Sequence, residues 1–480
     1  VAGLDARPAF PENVPLAYAA PHNIIARAGA GSGNLFPEHP SRAICDPAAA
    51  TPLWCRKCPL SMMPRHALSR RFMPEANALD PLIERRRRLV SLDAFRGLTV
   101  AAMLLVNDPG RWDAIYPPLR HSPWHGWTPT DLIFPFFLFI VGITTQLSLS
   151  ARRAGGDIGS RLLGQVFRRG AIIFCLGVLL NWFPFYTSGE MPEGDPAWSV
   201  RLVDKLLHLR LPGVLQRIAI GYLAGALITL YVPVRAQLTL LAVLLVGYWA
   251  ALMLIPVPGT GATGLAAIAA PATTLGAAVD RAAFDWGRWG NHLWGETSVW
   301  DPEGLLSTLP SLGTVLLGLA AGRWLGQPRE LERRIGWLFL AGLAACVLGE
   351  AWSPWFPINK NLWSSSYVLL SAGLASVGLS GFMWLIDLRG HAAWARPLLV
   401  FGVNPILAYV SAELAATSIY SWITVGHDGQ RVAIQQWFEA AVFDSWLPPR
   451  AASLGFAILF VLCWYGLLSA CHKRGLILKV

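Results

Sequence analysis

DLIFPFFLFIVGITTQLSLS, residues 131–150, carries one charged residue, Asp131, at its first position, and Arg152 and Arg153 follow it at once. As a helix such a run is roughly 30 Å long, the thickness of a bilayer's hydrocarbon core. Comparable apolar runs lie at about 92–107, 165–184, 212–232, 237–255, 305–325, 335–352, 365–387, 397–418 and 450–471. The sequence therefore predicts an all-α fold, a polytopic transmembrane bundle of about ten helices. Composition agrees. Of 480 residues 54% are hydrophobic and 14% charged, and mean hydropathy is +0.44, too apolar for a soluble chain. Several of the 22 Trp sit at the ends of apolar runs, where interfacial anchors belong. The net charge of +10 does not point to nucleic acid, because the basic residues cluster beside the spans rather than on a solvated face.

Those basic residues orient the bundle. Arg85 to Arg88 precede the first span. The loops after even-numbered spans are short and basic: Arg152, Arg153, Arg161, Arg168 and Arg169, then Arg329, Arg333 and Arg334, then Arg389 and Arg396. Lys473, Arg474 and Lys479 end the chain. The positive-inside rule places these loops and both termini in the cytoplasm of a bacterial inner membrane. The segments at about 108–130, 185–211, 256–304, 353–364 and 419–449 then face outward, and they hold most of the unusual polar residues.

Residues 1–84 are set apart from the transmembrane domain at 85–480. They are rich in Ala, Pro and Arg and lack sustained periodicity. The expectation is a disordered or mis-annotated extension, with Met73 as the real start. Cys55 and Cys58 form a CxxC near Cys45, but no second pair or spaced histidines complete a zinc site, so no metal is expected. The chain has no Walker loop, HExxH, GxSxG or dinucleotide fingerprint.

Five polar clusters flank the spans. In RHSPWHGWTPTD, residues 120–131, His121 and His125 are four apart, but Pro123 between them and Gly126 after them predict an irregular loop rather than a helical metal pair. Trp124 and Trp127 hold that loop at the membrane surface. A loop histidine suits general-base work near neutral pH and is equally common as a solvated side chain. Asn107 and Asp131 end and begin the adjoining spans and point to one region, and each also fits a helix cap. Gln216 and Arg217 lie inside an apolar span, facing a polar cavity or snorkelling to the interface. Asp301 and Glu303 precede a span, either to bind an ammonium or amino sugar or to complement a helix dipole. Asn359, Lys360, Asn361 and Trp363 put amides, a cation and a ring in one short loop suited to a carbohydrate or phosphate. Asn404 before Pro405 interrupts a span, and unwound backbone there is tolerated where it lines a cavity.

SLDAFRGLTVAAMLLVN (91–107), HSPWHGWTPTDLIFPFFLFIVG (121–142), LPGVLQRIAIGY (211–222), WDPEGLLSTLPS (300–311), FPINKNLWSSSYVL (356–369) and GVNPILAYV (402–410) occur in that order. Together they resemble the membrane acyltransferases related to heparan-alpha-glucosaminide N-acetyltransferase, over about residues 88–475. The resemblance implies transfer of an acetyl group from cytoplasmic acetyl-CoA, a substrate, to the amine of a terminal glucosamine across the membrane. It implies an essential histidine in a His-x-x-Trp-x-Gly context, matched by His121, Trp124 and Gly126, with Asn107 as the associated asparagine. His125 stands where the animal enzyme has asparagine. His121 would be general base or acyl carrier, and Asn107 would bond the developing oxyanion. Arg96 and the basic loop with Arg152 and Arg153 are candidates for the CoA phosphates. The chain looks like a bacterial relative without a folded luminal domain ahead of its first span, so its acceptor need not be heparan sulfate. Membrane lipids and a sugar or glycan acceptor are the expected partners, nucleic acid is not, and a homodimer stays open. The rival readings are a polytopic transporter or permease without chemistry, and a membrane subunit of a polysaccharide assembly complex. A transporter would be expected to show paired broken helices or internal symmetry.

Overall fold

The computed structural model describes residues 89–154, 159–186, 197–295, 297–427 and 430–478. The expected extension at 1–84, with Cys45, Cys55 and Cys58, lies outside the described residues.

The chain runs through α1 (Val90–Asn107), α2 (Ile133–Ala154), α3 (Ser160–Trp182), α4 (Trp198–Leu207), α5 (Val214–Tyr231), α6 (Val234–Leu254) and α7 (Leu275–Phe284). It continues through α8 (Leu305–Leu325), α9 (Leu331–Trp352), α10 (Ser365–Phe382), α11 (Arg396–Val403), α12 (Pro405–Thr417), α13 (Ile434–Val442) and α14 (Pro449–Lys473). Among the described residues nine helices are long and apolar enough to cross a membrane, and ten if the bent pair around Asn404 is one span. The expected bundle is present, with ends shifted by a few residues where fraying and capping decide.

α8 is its axis, with two-thirds of its apolar window buried. α2 lies directly against it because Gly142 and Gly318 leave room for backbone: a Cβ on either would collide with the Val315 or Phe139 carbonyl of the other helix. Gly342 and Gly373 seat α9 on α10 in the same way. With no hydrophobic drive between helices in lipid, such small-residue contacts supply the packing.

The bent pair turns by 70° at Asn404. Pro405 cannot donate the backbone hydrogen bond that would carry α11 into α12. Asn404, expected from the sequence to mark a cavity lining, spends its side-chain amide on the C-terminal tail. Its Nδ2 donates to the Leu476 carbonyl at 3.0 Å and its Oδ1 accepts from the Leu478 amide at 3.1 Å. It is buried and latches the C-terminal tail onto the break.

The long loops hold structure that the apolar pattern did not reveal. α4, α7 and α13 are short helices outside the spans, and β1 (Thr424–His427) pairs antiparallel with β2 (Gln430–Ala433). α7 starts at Thr274, whose side chain accepts from the Ala277 amide at 3.0 Å, an ordinary N-cap that the sequence does display.

Candidate active site

The segment between α1 and α2 contains short turns and no helix from His121 to His125, as Pro123 and Gly126 imply. It ends in a capping box: the Thr128 amide donates to Asp131 Oδ2 at 3.0 Å and the Asp131 amide turns back to the Thr128 side chain, while a backbone bond from the Asp131 amide to the Thr128 carbonyl, 3.0 Å, closes the turn. Asp131 also gathers the loop. Its Oδ2 accepts from the Ser122 amide at 3.0 Å, and its Oδ1 lies 2.6 Å from His121 Nδ1. The Tyr367 hydroxyl on α10 donates to the Asp131 carbonyl. Cap and charged partner are thus one residue.

The Asp131 side chain is 1% exposed and that of His121 44%, so a buried carboxylate faces a ring open on its other side. A carboxylate only accepts, so the ring meets Asp131 through Nδ1–H and turns Nε2 to the open side. Lys360 comes from the loop before α10. Its Nζ stands 3.1 Å from His121 Nδ1, 3.4 Å from Nε2 and 3.8 Å from Asp131 Oδ1. Burial pushes the Lys360 ammonium below the ordinary lysine range, against the pull of Asp131.

A second tier joins the two loops. The Gly126 amide donates to the Ile358 carbonyl at 2.8 Å, and Trp124 Nε1 donates to the Ile268 carbonyl at 2.8 Å. Trp124 thereby anchors the loop. Asn359 is buried, and its Oδ1 accepts from the Leu362 amide at 2.9 Å, while its Nδ2 lies 3.4 Å from His125 Nδ1. Burial lowers the His125 imidazole below its usual range. Asn361 is half-buried in the same turn.

Other expected site residues are placed differently. Trp363 is no open platform for a sugar ring: it is 1% exposed, with Nε1 donating to Thr314 Oγ1 at 3.1 Å. Arg217 does not snorkel. It is 1% exposed, its guanidinium lies 5.1 Å over the Trp363 ring, and Nη2 donates to the Gly304 carbonyl at 3.2 Å. Among the described residues its Nε and Nη1 make no hydrogen bond. Asp301 and Glu303 do not stand open to an ammonium. Arg210 holds both, with Nε to Asp301 Oδ2 at 2.8 Å, Nη2 to Asp301 Oδ1 at 2.6 Å and Nη2 to Glu303 Oε2 at 2.5 Å. Asn107 is exposed and bonds Glu413 on α12. Among the described residues it makes no hydrogen bond to His121.

Arg96 pairs with Asp93 at 2.9 Å and donates to the Gly402 carbonyl at 3.3 Å. Arg152 reaches Gln165 at 2.5 Å, and Arg153 the Leu230 carbonyl. Arg152 is 21 residues along the chain from Asp131, about 32 Å of helix, so Arg152 and Arg153 lie at the opposite end of α2 from His121, and Arg96 lies part-way along α1.

Arg210, Glu413 and Asp280 escaped the sequence reading. Asp280 Oδ1 accepts from the Leu305 amide at 2.8 Å, at the start of α8. Burial raises its carboxyl from 3.8 to about 6. A carboxyl raised by folding favours the folded state most below the unfolded value, and that contribution is lost as pH rises through about 6. Asp280→Asn keeps an acceptor and removes the buried charge. It is expected to stabilise the protein by about 1–3 kcal/mol at pH 8 and to be neutral near pH 4, read as thermal midpoints in detergent. An equal gain at both pH values would disprove the burial account.

Comparison with known proteins gives two relatives. Mouse and human heparan-alpha-glucosaminide N-acetyltransferase are 33% and 32% identical to the chain over 373 residues, covering 68% of this chain and 53% of theirs. The chain thus spans about half the length of the curated relatives it matches. No family model matches it.

Proposed function

This chain belongs to the heparan-alpha-glucosaminide N-acetyltransferase-like family, and we propose that it is a membrane acetyltransferase that carries an acetyl group from cytoplasmic acetyl-CoA to an amine or hydroxyl of an extracytoplasmic sugar. The observation that carries the reading is the buried Asp131 carboxylate 2.6 Å from the half-exposed His121 ring. A carboxylate on Nδ1–H fixes ring and tautomer and steadies the imidazolium that forms when Nε2 takes a proton.

In the proposed reaction the acceptor nitrogen or oxygen attacks the thioester carbonyl, and His121 Nε2 takes its proton. The C–S bond then breaks, and the proton passes from His121 to the departing CoA thiolate. Transfer through an acyl-His121 intermediate uses the same atoms in two steps. Lys360 presents a cation to the charge that develops on the carbonyl oxygen or thiolate. Asn359 and Trp124 fix the loops that place Lys360 and His121. Arg96, Arg152 and Arg153 meet the CoA phosphates as the donor enters from the opposite face, and the pantetheine arm leads the thioester between the helices towards His121. The basic loops and both termini are cytoplasmic in this arrangement, in a bacterial inner membrane.

The test is sided. Purified protein in proteoliposomes is given acetyl-labelled acetyl-CoA on one face and glucosamine on the other. Label is expected on glucosamine only when acetyl-CoA is on the face bearing Arg152, located by impermeant labelling of a cysteine placed there. Absence of label from either side, with several amino sugars offered, would return the protein to the transporter reading.

A further inference from the structure

The glycine contacts that seat α2 on α8 and α9 on α10 leave the space between the two pairs unfilled. Ala321 on α8 and Ala341 and Ala345 on α9 face each other there across a cavity of about 510 Å³, floored by Phe139 and Leu317. That volume lies within the ~300–1,000 Å³ range of ligand sites. The walls are almost wholly apolar. Their one hydroxyl, on Ser376, is already donated to the Ala372 carbonyl at 2.8 Å.

One end differs. Arg329 and Arg333 stand at the mouth with Trp324 and Trp337, and the Arg329 guanidinium lies 5.0 Å over the Trp324 ring. Both arginines are exposed, and among the described residues neither is in an ion pair with a carboxylate. From Arg333 to Ala345 the helix rises about 18 Å, slightly more than half of a ~30 Å hydrocarbon core. The groove therefore has the depth of one leaflet, a dry interior and a cationic, Trp-flanked entrance at the headgroup level.

We propose that this groove binds an anionic phospholipid of the leaflet on its basic side, with an acyl chain along Ala341 and Ala345 and its phosphate between Arg329 and Arg333. Basic pockets between spans on that face suit anionic headgroups. A neutral lipid would leave the two cations unused. A CoA arm would bring amides and a hydroxyl into walls that offer them no partner, at a cost for each. The site is separate from His121 and does not depend on the reaction assigned to it.

Native mass spectrometry of the purified full chain tests this with dioleoyl phosphatidylglycerol, dioleoyl phosphatidylcholine and acetyl-CoA. One phosphatidylglycerol is expected to be retained in preference to phosphatidylcholine. Arg329→Ala with Arg333→Ala should weaken retention by about thirty-fold, from two headgroup contacts. Ala345→Phe, which fills the groove, should abolish it. The arginine pair is on the surface and keeps the test alive if the filled variant does not fold. Equal retention of the two lipids, or retention unchanged in the arginine variant, would overturn the proposal. Stoichiometric displacement of phosphatidylglycerol by acetyl-CoA would also overturn it, by showing that the groove is the donor's site.

Discussion

His121→Ala is expected to lower acetyl transfer by roughly 10²–10⁴-fold with the protein still folded in the membrane, and by more if the histidine carries the acetyl group. The ring is nearly half exposed and lies in a loop, so its removal costs little packing. The neighbours separate a catalytic from a structural loss. Asp131→Asn keeps a cap on α2 but presents an amide that cannot hold Nδ1–H as a carboxylate does, so activity should fall while the thermal midpoint moves little. His125→Asn should be mild, because its ring meets Asn359 at 3.4 Å and the Ile268 backbone and, among the described residues, carries no carboxylate partner. Transfer is measured as label on glucosamine, beside midpoint and membrane yield. Full activity in His121→Ala with loss in His125→Asn would move the base to His125. Full activity in both would remove histidine from the mechanism.

The spans were legible because the solvent is lipid: twenty apolar residues in succession admit few other structures. A cap at Asp131 was legible too, although the structure makes Thr128 the N-cap and Asp131 its partner three residues on. What sequence could not give is who meets His121. Lys360 lies 239 residues away, and only the packing of α10 against α2 brings its Nζ to the ring. The same limit hid Arg210, 91 residues from Asp301. Trp363 and Asn404 were misread for a related reason. A tryptophan near a loop and an asparagine beside a proline look alike whether they face a substrate or a neighbouring backbone. Burial decides, and burial belongs to the tertiary structure. Asn404 resolves to a latch on Leu476 and Leu478, and Trp363 to a buried surface under Arg217.

Arg210→Met should destabilise the protein by about 3–5 kcal/mol, the cost of leaving buried charges without their partner. The side chains of Asp301 and Glu303 are 0% and 10% exposed, and Arg210 satisfies both through a planar fork. Burial alone would raise the Glu303 carboxyl; Arg210, with Arg217 behind it, outweighs burial and holds it low. In the variant Glu303 loses the larger of the attractions that oppose burial, so its carboxyl should rise. Stability should then fall as pH rises through the Glu303 value, and the deficit should be greater near pH 8 than near pH 5. Arg210→Lys should recover only part of the loss, since an ammonium cannot reproduce the bidentate contact. Adding Asp301→Asn and Glu303→Gln to Arg210→Met should recover more than lysine does, because it removes the buried charges. Thermal midpoints in detergent across pH decide this. A wild-type midpoint in Arg210→Met at pH 8 would mean that water, not Arg210, satisfies the two carboxylates, and would reopen them as contacts for an amino sugar.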